Sequence, residues 1–326
     1  MSAPSPSQAE VRSDLAVTLE EYDLAASRQG FVGNVIAPVY NTPRVAGTYK
    51  VLRRGQLLQE HPTERAPDGS YNRADFRSEE ESYATKERGF EVPIDDNLKE
   101  QYRDYFDAEV KGTEICRDIV LRGNEQRLIG PVQQTSNVGS NGAVSTTWDN
   151  AASTPIDDVQ DAQITMRNAS GLAPNLLVIE WELYKALLQN DQILERLGNG
   201  GTSDDVKTVN LRKLAELFDI ERIVISNAQK NIAIPNEALD YNNFELEPLW
   251  NKRLGLLAHV DTRESLMSPT FARTFHWDED GSEINGHVET YREERTRCDV
   301  VRVRNQIDIK IVDKACGHLM TGLLPA

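Results

Sequence analysis

The sequence predicts an α+β fold of two lobes carrying a long projecting arm, and three observations predict it. Residues 44–94 have little apolar content and nine basic against nine acidic side chains, a segment too polar to bury itself on its own chain. The longest helical pattern follows directly, over residues 95–129. The stretch from residue 286 alternates apolar and polar side chains, the period of a strand with one buried face. At 326 residues the chain can enclose a substantial core.

Taken in order, residues 1–10 read as a Ser- and Pro-rich tail and residues 13–30 as a short amphipathic helix. The arm comes next. Residues 45–55 and 82–94 carry the β-branched and aromatic side chains of strands, and HPTERAPDGS between them is turn chemistry. Two such strands would project on the order of 40 to 60 Å at roughly 3.3 Å per residue. Arg53, Arg54, Arg65, Arg73 and Arg77 stand against Glu60, Glu64, Asp68, Asp75 and the run Glu79, Glu80, Glu81.

In the helical pattern Leu98, Tyr102, Tyr105, Phe106, Val110, Ile115, Ile119, Val120 and Leu128 recur at three- and four-residue steps. Such a helix would run about 50 Å, a strut rather than a core element. Gly112 and Gly123 each cost about 1 kcal/mol against Ala inside it and mark where a bend would fall. Residues 130–150 read as a loop. Thr154 then caps a helix with Pro155 at its first position and Asp157 and Asp158 at the positive end of its dipole, stopping near Gly171.

A compact α/β block follows: a buried strand over 175–180, a helix over 181–197 closed by Gly198, a helix over 209–218 capped by Thr208, and a strand over 221–228. At the C-terminus Val301 and Val303 oppose Arg302 and Arg304, and Ile307, Ile309 and Ile311 oppose Asp308 and Lys310. That strand is a suitable partner for the long helix.

Composition narrows the function classes. The net charge is −16, with no sustained basic stripe, which argues against nucleic-acid binding by counterion release. Any meeting with DNA would be containment. No run reaches the roughly 20 apolar residues of a membrane span, and the first ten residues lack a secretion signal, so folding in a cytoplasm is expected. Cys116, Cys298 and Cys316 are odd in number and widely spaced, as buried reduced thiols would be.

Little points to catalysis. HWDEDGSEINGH gathers His276, Asp278, Glu279, Asp280, Glu283 and His287, but a calcium loop would need carboxylates where the two histidines stand, so an acidic hairpin turn is the better reading. Cys316 and His318 lack a second ligand pair for zinc. GNGG at 198–201 lacks the Lys and Ser or Thr of a phosphate loop, and no GxSxG elbow occurs. Neither an enzyme active site nor a cofactor is expected.

The order of parts carries a resemblance. An N-terminal arm, an extended charged hairpin, a long helix, the step APNLLVIEWELYKALL, the pair LRKLAELFDIERIVIS and closing amphipathic strands together resemble the major capsid proteins of tailed bacteriophages, with the HK97-type shell fold. The resemblance implies an N-terminal arm (1–43), an E-loop hairpin (44–94), a peripheral domain with a spine helix (95–171), an axial domain (172–285) and peripheral C-terminal strands (286–326). It implies hexamers and pentamers of this chain in an icosahedral head around double-stranded DNA, in a virion built in a bacterial cytoplasm. The E-loop charges would meet neighbours in trans, and the shell would expand by rotation of lobes about the spine helix. No Lys occurs between Val51 and Thr85, so the cross-linking of some members is not expected. No long helical prefix precedes the arm, so a separate scaffolding protein or none is expected, beside portal and decoration proteins. An encapsulin-like compartment and a non-assembling binding protein with a flexible arm are the alternatives.

Overall fold

In the computed structural model, residues 10–11, 30–52, 54–65, 67, 69–102, 107–198, 210–233, 245–279 and 286–325 are described. The strands are β1 (Glu10–Val11), β2 (Val39–Thr42), β3 (Ala46–Leu52), β4 (Ser78–Ala84), β5 (Lys86–Asp95), β6 (Ser140–Ala143), β7 (Leu176–Glu180), β8 (Arg222–Ser226), β9 (Gln229–Asn231), β10 (Leu246–Pro248), β11 (Leu254–Ala258), β12 (Ala272–Trp277), β13 (His287–Glu293), β14 (Cys298–Ile311) and β15 (Gly317–Thr321). The helices are α1 (Gly33–Ile36), α2 (Arg54–Leu57), α3 (Asp96–Tyr102), α4 (Ala108–Val132), α5 (Pro155–Ser170), α6 (Trp181–Leu187), α7 (Asp191–Gly198) and α8 (Leu211–Phe218).

The first sheet is organised around β14. It pairs antiparallel with β5, β13 and β12, while β1 extends the sheet from β13 and β2 runs parallel to β12. The predicted alternation holds: Val301, Val303 and Ile307 are buried, and Ile94, Cys116, Val288, Val301 and Val303 form one cluster beneath α4. The second sheet has the order β6-β15-β11-β7-β8, with β7 fully buried and parallel to β8. Its outer layer is α5, α6, α7 and α8, packed around Trp148, Met166, Leu183 and Phe218. A third cluster joins the sheets: Leu128, Ile129 and Val132 of α4 meet Ala272 of β12 and Val178, Leu256 and Leu319 of the second sheet.

Several expectations are corrected. The second arm strand divides at Thr85: β4 pairs with β3, whereas β5 joins the first sheet along ten residues of β14. Bonds from the Thr85 N–H and Oγ1 to the Val45 carbonyl mark the point where the chain leaves the ribbon. The ribbon therefore spans seven residues per strand, about 23 Å at 3.3 Å per residue, rather than 40 to 60 Å. The long helix is not continuous from residue 95. Asp107 is extended (φ −77°, ψ 113°) and caps α4, its carboxylate accepting the N–H groups of Glu109 and Val110. Its 25 residues give about 37 Å.

The predicted loop after α4 contains β6, parallel to β15. Thr154 makes no side-chain cap bond, although α5 begins at Pro155 and ends at Gly171 in the left-handed region (φ 70°) as expected. The helix expected over 181–197 breaks at Asn190, whose buried amide bonds Ser153 Oγ and whose Oδ1 accepts from Ile193 N–H. Asn210 caps α8. β12 and β13 do not form a hairpin across the acidic run, since each pairs with β14. β15 belongs to the second sheet, so residues 286–326 are divided between the two sheets. A Cβ at Gly317, where β15 begins, would lie 2.4 Å from the Phe271 ring, so only Gly lets the strand approach. Residues 13–29 of the helix expected over 13–30, the GNGG run from residue 199, and Asp280 and Glu283 of the acidic cluster lie outside the described residues.

Candidate assembly interface

The arm has a buried root and an exposed tip. Alternation along β3 sends Tyr49 and Val51 inward and Lys50 outward, where it pairs with Glu80 at 3.6 Å. Inside, Tyr83 stacks on Phe275 (centroids 4.5 Å apart, planes at 2°), Tyr49 lies 5.1 Å from the same ring and Tyr40 meets it edge-on at 5.8 Å. The Tyr83 hydroxyl bonds Thr42 Oγ1 at 2.6 Å, and Ala84 N–H donates to Asp308 at 3.0 Å. The root is thus anchored to the chain's own first sheet, contrary to the expectation that the whole segment lacks a core.

The described residues from Gly55 to Glu80 are almost entirely exposed. It nevertheless has a local shape. Gln56 exchanges two hydrogen bonds with the Arg77 backbone (2.8 and 3.0 Å), Asn72 donates to the Pro62 carbonyl (2.7 Å), and His61 meets Phe76 edge-on.

The sequence-selected residues separate here. Arg53 and the side chain of Arg54 lie outside the described residues. Arg65 turns inward: it donates to the Gly69 carbonyl at 2.6 Å and covers the Tyr71 ring at 5.0 Å. Arg73 and Arg77 are exposed and make no ion pair among the described residues. Glu79 and Glu80 are exposed, and Glu81 accepts the Tyr49 hydroxyl at 2.8 Å. Sequence reasoning passed over the apolar side chains among these charges. Leu57 (54%), Leu58 (59%), Tyr71 (71%) and Phe76 (53%) are exposed on the tip, and their presence in an otherwise polar segment was the available signal.

The hinge candidates sit in unlike surroundings. Gly112 is buried where α4 crosses β5, and a Cβ there would lie 3.3 Å from Ile94 Cδ1. A Cβ at Gly123 would lie 3.4 Å from the Arg127 guanidinium. Both are in regular helix. An ionic clamp fixes the entry to α4: Arg292 holds Asp96 through two bonds (2.6 and 2.7 Å) and Asp299 at 3.1 Å, while Lys99 holds Glu109 and Asp299. The hydrogen bond from Arg292 keeps the Asp96 carboxyl below the usual carboxylate range.

Chemistry elsewhere is sparse. Among the described residues no three His, Cys, Asp or Glu side chains group as metal ligands. Cys116, Cys298 and Cys316 form no disulfide and are buried, and His318 bonds Ser140 at 2.7 Å in the core. No helix among the described residues is long and apolar enough to cross a membrane.

No family model matches the chain. Two curated relatives are named major capsid proteins: one from Pseudomonas phage JBD67 is 24% identical over 225 residues, 67% of each chain, and one from Burkholderia phage BcepMu is 25% identical over 207 residues, 61% of this chain and 64% of that one. The matches thus span about two thirds of those relatives. A phage-related protein from Bordetella bronchiseptica RB50 superposes with a TM-score of 0.70 at 16% identity, covering 98% of this chain and 99% of that one. The capsid of cyanophage P-SCSP1u gives 0.57 at 11% (88% and 86% covered), and the SrpI encapsulin of Synechococcus elongatus PCC 7942 gives 0.51 at 13% (91% and 89%). The chain has the α+β fold of HK97-type capsid proteins.

Proposed function

We propose that this chain is the major capsid protein of a tailed bacteriophage, assembling as hexamers and pentamers into an icosahedral head. The observation that carries the reading is the arm: a root fixed on the chain's own sheet and a tip whose apolar side chains are each more than half exposed, on a fold shared with phage capsids. The tip, the E-loop of such a shell, lies over a neighbouring copy. Burying the exposed halves of Leu57, Leu58, Tyr71 and Phe76 there contributes about 1 kcal/mol each. The exposed charges Arg73, Arg77, Glu79 and Glu80 add about 0 to 1 kcal/mol per pair. The apolar side chains therefore set the strength of the contact, and the charges set its register. The contact is heterologous and closes into rings.

The shell contains double-stranded DNA rather than binding its sequence, a reading that the acidic net charge supports. Scaffolding, portal and decoration proteins are its expected partners, and its role is structural rather than enzymatic. Expansion on filling bends α4 near Gly112 or Gly123. A second reading, an encapsulin-like compartment, draws on the likeness to the SrpI encapsulin.

The test is electron microscopy and sedimentation of the full chain beside a deletion of residues 56–77. Leu52 pairs with Ser78, so the deletion leaves residues 53–55 as a three-residue hairpin loop and the fold intact. The full chain is expected to form closed particles and the deletion to remain as folded subunits. Closed particles from the deletion would refute the role of the tip. DNA or protein found inside particles isolated from the native source separates the phage head from the compartment.

A further inference from the structure

The N-terminal segment meets the long helix at one buried carboxylate. Glu125, on the inner face of α4, is 3% exposed. Its Oε1 accepts the Val32 N–H at 2.8 Å and its Oε2 the Gly33 N–H at 2.8 Å. These are unpaired donors at the start of α1, where Val32 supplies no side-chain cap, so Glu125 does from another helix what a capping residue does locally. A Cβ at Gly33 would sit 2.6 Å from Oε2. Val32, Ile36 and Ala37 then pack against Leu128, Ile129 and Val132.

Among the described residues, the hydrogen bonds to the carboxylate come from backbone N–H groups and not from a charged side chain. A cavity of about 60 Å³ beside it is walled by Phe31 and Asn34 of the segment, Leu121 and Asn124 of α4, Thr274 of β12 and Ile307 of β14. The cations around the cavity bond other groups: Arg122 of α4 pairs with Asp118 and lies over the Phe31 ring at 5.7 Å, Arg127 donates to Asn124, and Arg88 of β5 donates to the Ile307 carbonyl at 2.8 Å. His276, further along β12, bonds Asn41. Burial without a compensating cation pushes the Glu125 carboxyl up to about 7, against the opposing pull of the two N–H donors.

We propose that Glu125 is a proton-operated latch: residues 30–37 dock on the long helix with uptake of a proton by this carboxylate, and rising pH loosens them. The sign follows from linkage. An acid whose docked pKa lies above its free value binds more protons when docked, so docking is fully favoured below the free value and weakens as pH rises through the docked one. The proposal concerns the single chain and stands whether or not the chain assembles.

The test is hydrogen exchange of the Val32 and Gly33 amides in the full chain, corrected for intrinsic base catalysis. With a docked value of about 7 and a free value of 4.5, the open fraction is expected to rise roughly tenfold between pH 6 and 8. In Glu125→Gln the corrected protection is expected to be independent of pH, with β14 amides reporting that the variant is folded. The wild-type Glu125 carboxyl carbon, followed by nuclear magnetic resonance, is expected to titrate near 7. A midpoint near 4.5, or wild-type protection that does not change with pH, overturns the proposal.

Discussion

Replacing Phe275 by Leu tests whether the arm is held by its aromatic root. Phe275 is fully buried on β12 and touches three rings, Tyr83 at 4.5 Å, Tyr49 at 5.1 Å and Tyr40 at 5.8 Å. Leu keeps most of the buried volume, so the loss is chiefly ring pairing. Such pairs contribute about 0.5 to 1.5 kcal/mol each, and because the three share one ring their sum falls at about 1 to 3 kcal/mol. Urea unfolding of the subunit should show that destabilisation, and limited proteolysis should gain cuts within β3 and β4, which the native root protects. Closed-particle yield should fall with it. Phe271→Leu is the control, because Phe271 is also fully buried but lies in the cluster joining the two sheets. A Phe275→Leu chain with unchanged unfolding and unchanged cuts would refute the argument, as would an equal rise in ribbon cleavage in the control.

Other expectations are simpler to state. Gly123→Ala should stabilise the subunit by up to about 1 kcal/mol in thermal unfolding, because the new methyl meets only a movable guanidinium, and should slow particle expansion if the bend falls there. Gly112→Val should cost about 1 to 3 kcal/mol in the same assay, because β5 leaves no room beside Ile94. Burial pushes the Cys116 thiol up to about 11, so iodoacetamide at pH 8 should leave it unmodified until the chain unfolds. By the same linkage, its contribution to stability is present below the ordinary thiol range and is lost as pH rises toward 11, which a native chain titrated in urea should show.

Elements with a single strong period were legible in the sequence. β14 followed from the opposed phases of Val301 and Arg302, α5 from Pro155 and Gly171, and β7 from an uninterrupted apolar run. What failed depended on partners. β4 and β5 share one strand composition, and only pairing reveals that the first belongs to the ribbon and the second to β14. Asp107 and Asn190 interrupt helices by capping from within a periodic pattern, where the same residue types on a solvated face look alike. At the candidate interface the charges were legible because they are numerous. The four exposed apolar side chains were not, because an isolated Leu or Tyr reads as core until the backbone shows that no core is near. Glu125 was hidden for the converse reason: a Glu in a helix reads as solvated, and its burial follows from a segment ninety residues earlier in the chain.

The short passage from β14 to β15 has a mechanical consequence. Only residues 312–316 separate the central strand of one sheet from a strand inside the other, and Val312, Asp313 and Cys316 within them are buried. Val312 also packs against the ribbon root. A pull on the arm is therefore delivered to a junction that both sheets hold. Strand ladders loaded along their length yield with many bonds at once, whereas ladders peeled from one end yield singly. A shell built this way would transmit tension from one subunit to the next through its sheets, leaving the helices as the parts free to flex.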